Sequence, residues 1–239
     1  MLLNKDLINL ALKSTWGTNM DRISEIREII GNRSDIIWSI ADISYSDFKD
    51  DYTRAIIIAQ RYKRSITNEE YDEEKYHRII LEITTIIDEK TNLLKQLFDQ
   101  YGIKNFIPPV AQTNEIELVA PFSFKYAAVQ AGLGWIGKSG LLITREYGPR
   151  VRLGAILLDY PFDCGSPIKD SLCGSCRACV GACPWGIIKG LNWNILSKRD
   201  ELLDYQLCNK KRSENIESNG RKIMCGYCLL ACPWGLKTP

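Results

Sequence analysis

The sequence holds a single histidine, His77, among 239 residues. That excludes a histidine triad and a two-histidine metal site, and it leaves no evident histidine general base. Charge of one sign is also missing. The 31 basic side chains are balanced by 29 acidic ones, for a net charge of +2. The total therefore lacks the basic surplus of a nucleic-acid binder, although a local patch is compatible with it. No apolar run reaches the roughly 18 residues that a membrane-spanning helix needs. The first sixteen residues mix Lys5, Asp6 and Lys13 into apolar positions at helical spacing, which reads as an amphipathic helix and not a leader. These absences point to a cytoplasmic protein with no membrane contact.

Cysteine is plentiful: there are nine. In a reducing compartment clustered cysteines signal metal or redox chemistry, not disulfides. Cys173, Cys176, Cys179 and Cys183 are spaced C-x2-C-x2-C-x3-C and followed by Pro184, the run of bacterial ferredoxins. Two-residue gaps let one tight loop reach three corners of an iron–sulfur cubane, and thiolate suits iron. The fourth cysteine of such a run serves the second cluster, and here it is read as opening a helix that points away from the first.

The segment repeats itself. CRACVGACPWG at 176–186 reappears as CGYCLLACPWG at 225–235. The offset puts Lys222 where Cys173 has its counterpart, so Cys208 has to supply that corner from a distance. The assignment is Cys173, Cys176, Cys179 and Cys232 to cluster one, and Cys183, Cys208, Cys225 and Cys228 to cluster two. Crossed ligands pin the two halves together and keep the cubanes close enough to exchange electrons. A pair of zinc sites is the competing reading, and the triple spacing with its proline disfavours it. Cys164 stands apart as a linker thiol. Trp185 and Trp234 are placed to shield the clusters from water.

Ahead of the cysteines the pattern is mixed. Helices are expected over 1–16, 20–31 with Asp21 as N-cap, 69–101 and 121–131. Strands are expected over 35–43, 55–60, 103–109, 141–144 and 151–158, the last two joined by a turn at 147–149. The Ala55–Gln60 run is apolar enough to be buried on both faces. The character changes after Asp159, giving an expected division into an α/β domain over 1–160 and a cluster domain over 161–239.

The stretch APFSFKYAAVQAGLGWIGKSGLLITREYGPRVRLGAILLDYP, followed by CGSCRACVGACPWG and CGYCLLACPWG, resembles epoxyqueuosine reductase, an iron–sulfur enzyme family related to the reductive dehalogenases. The resemblance is strong over residues 120–235. It implies an α+β fold, with a nitroreductase-like α/β corrinoid-binding domain followed by a ferredoxin-like double 4Fe–4S domain. It implies a cobalamin held with its dimethylbenzimidazole tail off the cobalt, lined by Gly132, Leu133, Gly134, Trp135, Ile136, Gly137, Lys138 and Ser139. Glycines allow a backbone to approach a bulky ligand closely, and Lys138 could meet a phosphate or an amide-rich rim. Losing the axial nitrogen eases reduction of Co(II) to Co(I) by a low-potential cubane.

The chain departs from the family in two places. The family carries an aspartate three residues before the proline that corresponds to Pro121, where this chain has Leu118, which has no proton to give. Tyr126 and Glu117 are the alternative proton donors, with Glu115 nearby, although in an extended segment Glu117 faces away from Leu118. The family's C-terminal helical-repeat domain, which helps grip tRNA, has no counterpart before Pro239, and tRNA is accordingly an unlikely partner. The functional expectation is a cobalamin-dependent iron–sulfur oxidoreductase, fed by a low-potential donor such as ferredoxin or flavodoxin. The alternatives are an electron-transfer protein that reduces a corrinoid without substrate chemistry, and a short epoxyqueuosine reductase acting on tRNA.

Overall fold

The computed structural model describes residues 18–31, 34–62, 72–110, 118–214 and 220–236. The helix expected over 1–16 lies outside them. Helix α1 (Asn19–Ile30) starts one residue earlier than its spacing suggests. Thr18, not Asp21, is the N-cap. Asp21 is the third helical residue, and its carboxylate accepts from the Thr18 N–H at 2.8 Å, closing a capping box.

Four strands build the central sheet: β1 (Ile36–Asp42), β2 (Arg54–Arg61), β3 (Asn105–Phe106) and β6 (Val151–Leu158). Their order is β1-β2-β6-β3, and each neighbouring pair is antiparallel. The expected hairpin between 141–144 and 151–158 does not form. Strand β5 (Leu142–Ile143) pairs instead with β4 (Trp135–Ile136), which lies inside the Gly-rich segment.

The sheet is buried on both faces, which is why β2 reads as an unbroken apolar run. Side chains alternate. Ile56, Ile58, Ile156 and Leu158 face one core with Ile26 and Ile30 of α1 and Leu94 and Phe98 of helix α2 (Glu73–Gln100). Ala55, Ile57, Ala155 and Leu157 face the other, with Ala127, Ala128 and Val129 of helix α3 (Phe124–Gln130). Gly154 of β6 lets α2 lie close: an added Cβ would meet Ile87 at 2.2 Å. Helix α3 begins at Phe124 with Ser123 as its N-cap, so Pro121 precedes the helix instead of opening it.

The second core does not stop at residue 160. Ile187, Ile188, Trp193, Leu202 and Leu203 belong to it, and Leu229 and Leu230 pack with Ile80, Ile83 and Ile87 of α2. The two expected domains thus share buried surface. Among the described residues, no helix is long and apolar enough to cross a membrane.

Candidate metal centre and adjoining cavity

Cys173 and Cys176 flank a tight turn. The Cys176 N–H donates to the Cys173 carbonyl at 3.1 Å, and Gly174 between them sits at φ +54°. Helix α4 (Ala178–Ala182) carries Cys179 in its first turn. Cys183 is the C-cap of α4 and does not open a helix, as the sequence had suggested; it lies at the far end of that helix from Cys179. After helix α5 (Arg199–Leu202), Cys208 rides on helix α6 (Tyr205–Ser213), whose N-cap Asp204 accepts from Leu207 N–H at 2.9 Å. Cys228 lies in helix α7 (Tyr227–Leu230), with Cys225 before it and Cys232 after.

These pieces bring the eight cysteines together as two quartets. Cys173, Cys176, Cys179 and Cys232 line one cavity, together with Gly137, Lys138, Ser139 and Trp234. Cys183, Cys208, Cys225 and Cys228 line a second, of about 240 Å³. The sharing out is the crossed one: Cys183 leaves its own run and Cys232 leaves its own. Among the described residues, no three Cys, His, Asp or Glu side chains form a group fit for a single metal ion. Cys164 is exposed and belongs to neither quartet.

Burial and the neighbouring thiols push the Cys228 thiol up to about 12, and Cys232, where burial is again the larger cause, to about 11. Burial likewise raises Cys179, Cys208 and Cys225. A metal that binds such thiols must displace their protons.

Cations from the α/β part hold the cysteine loops. Lys138 is buried, and its Nζ donates to the carbonyls of Gly174 at 2.8 Å and Cys176 at 2.9 Å. Buried Arg150 donates to the carbonyls of Trp234 at 2.8 Å, Leu230 at 3.0 Å and Cys232 at 2.8 Å. Lys125 lies against cluster two's cavity, donates to the Gly140 carbonyl at 2.6 Å, and is pulled down to about 8 by burial.

Two glycines of the segment that the resemblance implies as cofactor-lining stand close against the chain's own backbone. A Cβ on Gly134 would stand 2.2 Å from the Ile143 carbonyl oxygen, and one on Gly132 would stand 2.6 Å from that of Ser166. The space that these glycines open is filled by the chain's own backbone. Trp135 is fully buried, Gly137 and Lys138 face the first quartet, Ser139 lines the cavities of both quartets, and Lys138 donates to the cysteine loop.

A larger cavity of about 380 Å³ adjoins the second quartet. Its walls are mainly apolar and include Tyr62, Tyr76, Phe124 and Arg152. Lys125, Leu141, Arg212 and Cys225 line both this cavity and that of the second quartet, whereas the first quartet's cavity shares no lining residue with it. Burial raises the Tyr62 phenol, and a hydrogen bond with Tyr76 works the other way. No local pattern signals this tyrosine pair, because Tyr62 follows β2 and Tyr76 sits in α2, 14 residues later.

The proton-donor candidates are elsewhere. Tyr126 does not line the cavity; its ring packs edge-on against Tyr45 at 4.7 Å. Glu115 and Glu117 lie outside the described residues. Leu118 is buried at φ +54°, and its carbonyl accepts from Arg199 at 3.0 Å.

Residues 172–235 match the 4Fe–4S double cluster binding domain. An epoxyqueuosine reductase of Listeria monocytogenes serovar 1/2a is 35% identical over 163 residues, covering 66% of this chain and 38% of the relative. The chain therefore spans under two fifths of that relative. A solved epoxyqueuosine reductase holding an epoxyqueuosine-modified tRNA stem loop superposes with a TM-score of 0.57 at 20% identity, over 92% of this chain and 67% of that one. A reductive dehalogenase structure, described in terms of B12-dependent dehalogenation, superposes with a TM-score of 0.68 at 16% identity, over 96% of this chain and 36% of that one. The chain is thus similar in sequence to the epoxyqueuosine reductases, shares its fold with solved epoxyqueuosine reductases and reductive dehalogenases, and matches a double 4Fe–4S cluster binding domain over residues 172–235.

Proposed function

We propose that the chain is an iron–sulfur oxidoreductase that passes single electrons through two 4Fe–4S clusters to a base-off corrinoid in the cavity beside Cys225. Cys173, Cys176, Cys179 and Cys232 hold cluster one; Cys183, Cys208, Cys225 and Cys228 hold cluster two. The observation that carries this reading is the wall of Lys125, Leu141, Arg212 and Cys225 common to the second quartet and the larger cavity. A ligand there sits one side chain from a cluster ligand.

The residues present fit a corrinoid in kind. The cavity offers apolar walls for a flat macrocycle, cations in Lys125, Arg152 and Arg212, and two phenols. When bound, the clusters supply one-electron steps and the corrinoid supplies a strongly reducing cobalt centre. The chain's own part is to exclude water through Phe124, Leu141 and Leu229 and to keep a protonated phenol, Tyr62, at the wall. Tyr62 and Tyr76 take the proton-holding role first sought in Tyr126 and Glu117. The substrate that the relatives favour is the epoxyqueuosine nucleoside of tRNA. A second reading, an electron-transfer protein without substrate chemistry, is favoured by Leu118, whose buried side chain donates no proton.

Anaerobic reconstitution with iron, sulfide and cobalamin tests this. About eight iron atoms per chain and a base-off Co(II) EPR signal from one corrinoid per chain are expected. Failure to retain corrinoid removes its place in the reading. Activity on epoxyqueuosine-containing tRNA separates the two readings.

A further inference from the structure

Cluster one's quartet shares no lining residue with the larger cavity, and the loop that carries Cys173 and Cys176 reaches solvent. Gly174 and Ser175, between Cys173 and Cys176, are exposed, and a Cβ on Gly174 would meet nothing within 4 Å. Two segments border this loop and are tied to each other. Ser171 N–H donates to the Trp193 carbonyl at 2.8 Å, Ile195 N–H to that of Lys169 at 2.8 Å, and Asn192 Nδ2 to that of Gly174 at 3.2 Å.

Their outward side chains are unusual for free surface. Leu172 is 39% exposed, Leu191 55% and Leu196 88%. The segments 169–177 and 189–198 carry four basic side chains (Lys169, Arg177, Lys189 and Lys198) against one acid, Asp170, in a chain that is otherwise nearly neutral; Arg199, Asp200 and Glu201 follow. Exposed leucines set among like charges mark a protein-binding face, with the charges steering a partner of opposite sign. Its position beside the quartet that shares no wall with the larger cavity makes it a place for electrons to enter.

We propose that the face formed by residues 169–177 and 189–198 docks a small acidic electron-carrier protein over cluster one. This rests on the reading of Cys173, Cys176, Cys179 and Cys232 as a cluster site. The carrier loses one electron and cluster one gains one; for a flavodoxin, the hydroquinone becomes the semiquinone. The leucines supply apolar contact at the centre, and Lys169 and Lys198 set the orientation.

The test uses the reconstituted full chain and a flavodoxin as probe. Binding of oxidised flavodoxin is measured by surface plasmon resonance at low and high salt, and one-electron oxidation of its hydroquinone by stopped flow. Wild-type binding should weaken at least tenfold between about 50 and 500 mM salt. The double variant Lys169→Glu/Lys198→Glu, and separately Leu196→Asp, should weaken binding and slow the electron step by tenfold or more, with unchanged iron content and unchanged reduction by dithionite. Salt-independent wild-type binding, or variants within twofold of wild type, overturns the proposal. A wild-type protein that dithionite cannot reduce overturns the cluster reading instead, while the binding measurement still decides the docking face.

Discussion

The Arg150 guanidinium donates to the Cys232 carbonyl at 2.8 Å, across 82 residues of chain. It also reaches the carbonyls of Leu230 and Trp234, so one buried cation from the loop before β6 fixes the whole turn around the last cysteine. Burial lowers its pKa and the neighbouring Cys232 works in the opposite sense. Arg150→Met leaves three carbonyls without their donor. Stability should fall by about 3 kcal/mol or more, and cluster one should be lost before cluster two, read as EPR intensity and iron content.

Cys208 lies off the repeated motif, and its place in the second quartet depends wholly on α6. Cys208→Ser should cut iron from about eight to about four atoms per chain and leave the cluster-one EPR signal. Retention of all the iron would remove Cys208 from the ligand set.

Arg221 ties the segment before Cys225 to α2 through a two-pronged contact with Glu73, at 2.6 and 2.7 Å. The hydrogen bond from Arg221 is the main cause that holds the Glu73 carboxyl below its usual 4.5. A depressed carboxylate contributes stability above its unfolded value and loses it as pH falls through the folded value, so the contribution is complete near neutrality. Glu73→Gln should destabilise the protein by about 1 kcal/mol. In urea unfolding that gap should not change between about pH 6 and 8.

The backbone packing at Gly134 makes a prediction that a ligand-lining loop would not. Gly134→Ala drives a Cβ into the Ile143 carbonyl. It should cost about 1–3 kcal/mol even without corrinoid, whereas Gly181→Ala, with nothing within 4 Å, should be tolerated.

Tyr62→Phe removes a hydroxyl at the cavity wall together with its hydrogen bond to Tyr76. Iron and corrinoid content should stay constant while kcat falls by about 100-fold; an unchanged kcat would dismiss Tyr62 as the proton source.

Much of the architecture was legible in the sequence because it is local. The β2 run announces a strand buried on both faces, the β6 run announces a strand, and the isoleucines of α2 mark its apolar stripe. The Gly132–Ser139 segment was less readable. Its glycines admit a close neighbour, but the sequence does not say whether that neighbour is a ligand or the chain's own backbone at Ile143 and Ser166. The strand pairing of Trp135 with Ile143 has no separate sequence signal, because two-residue strands carry no periodicity.

By itself the sequence determined the double-cluster character of the C-terminal segment, since two-residue gaps between cysteines are a covalent constraint on how far apart the thiols can sit. It also showed, from the repeat, that one corner had to come from outside the motif. Only the tertiary structure decided that Lys138 and Arg150 brace the cysteine loops, that Tyr62 and Tyr76 face the cavity while Tyr126 does not, and that the cavity meets the Cys225 quartet. Those relations join residues far apart in the chain, and they are set by how the sheet, α2 and the C-terminal turns pack, a property that no local spacing encodes.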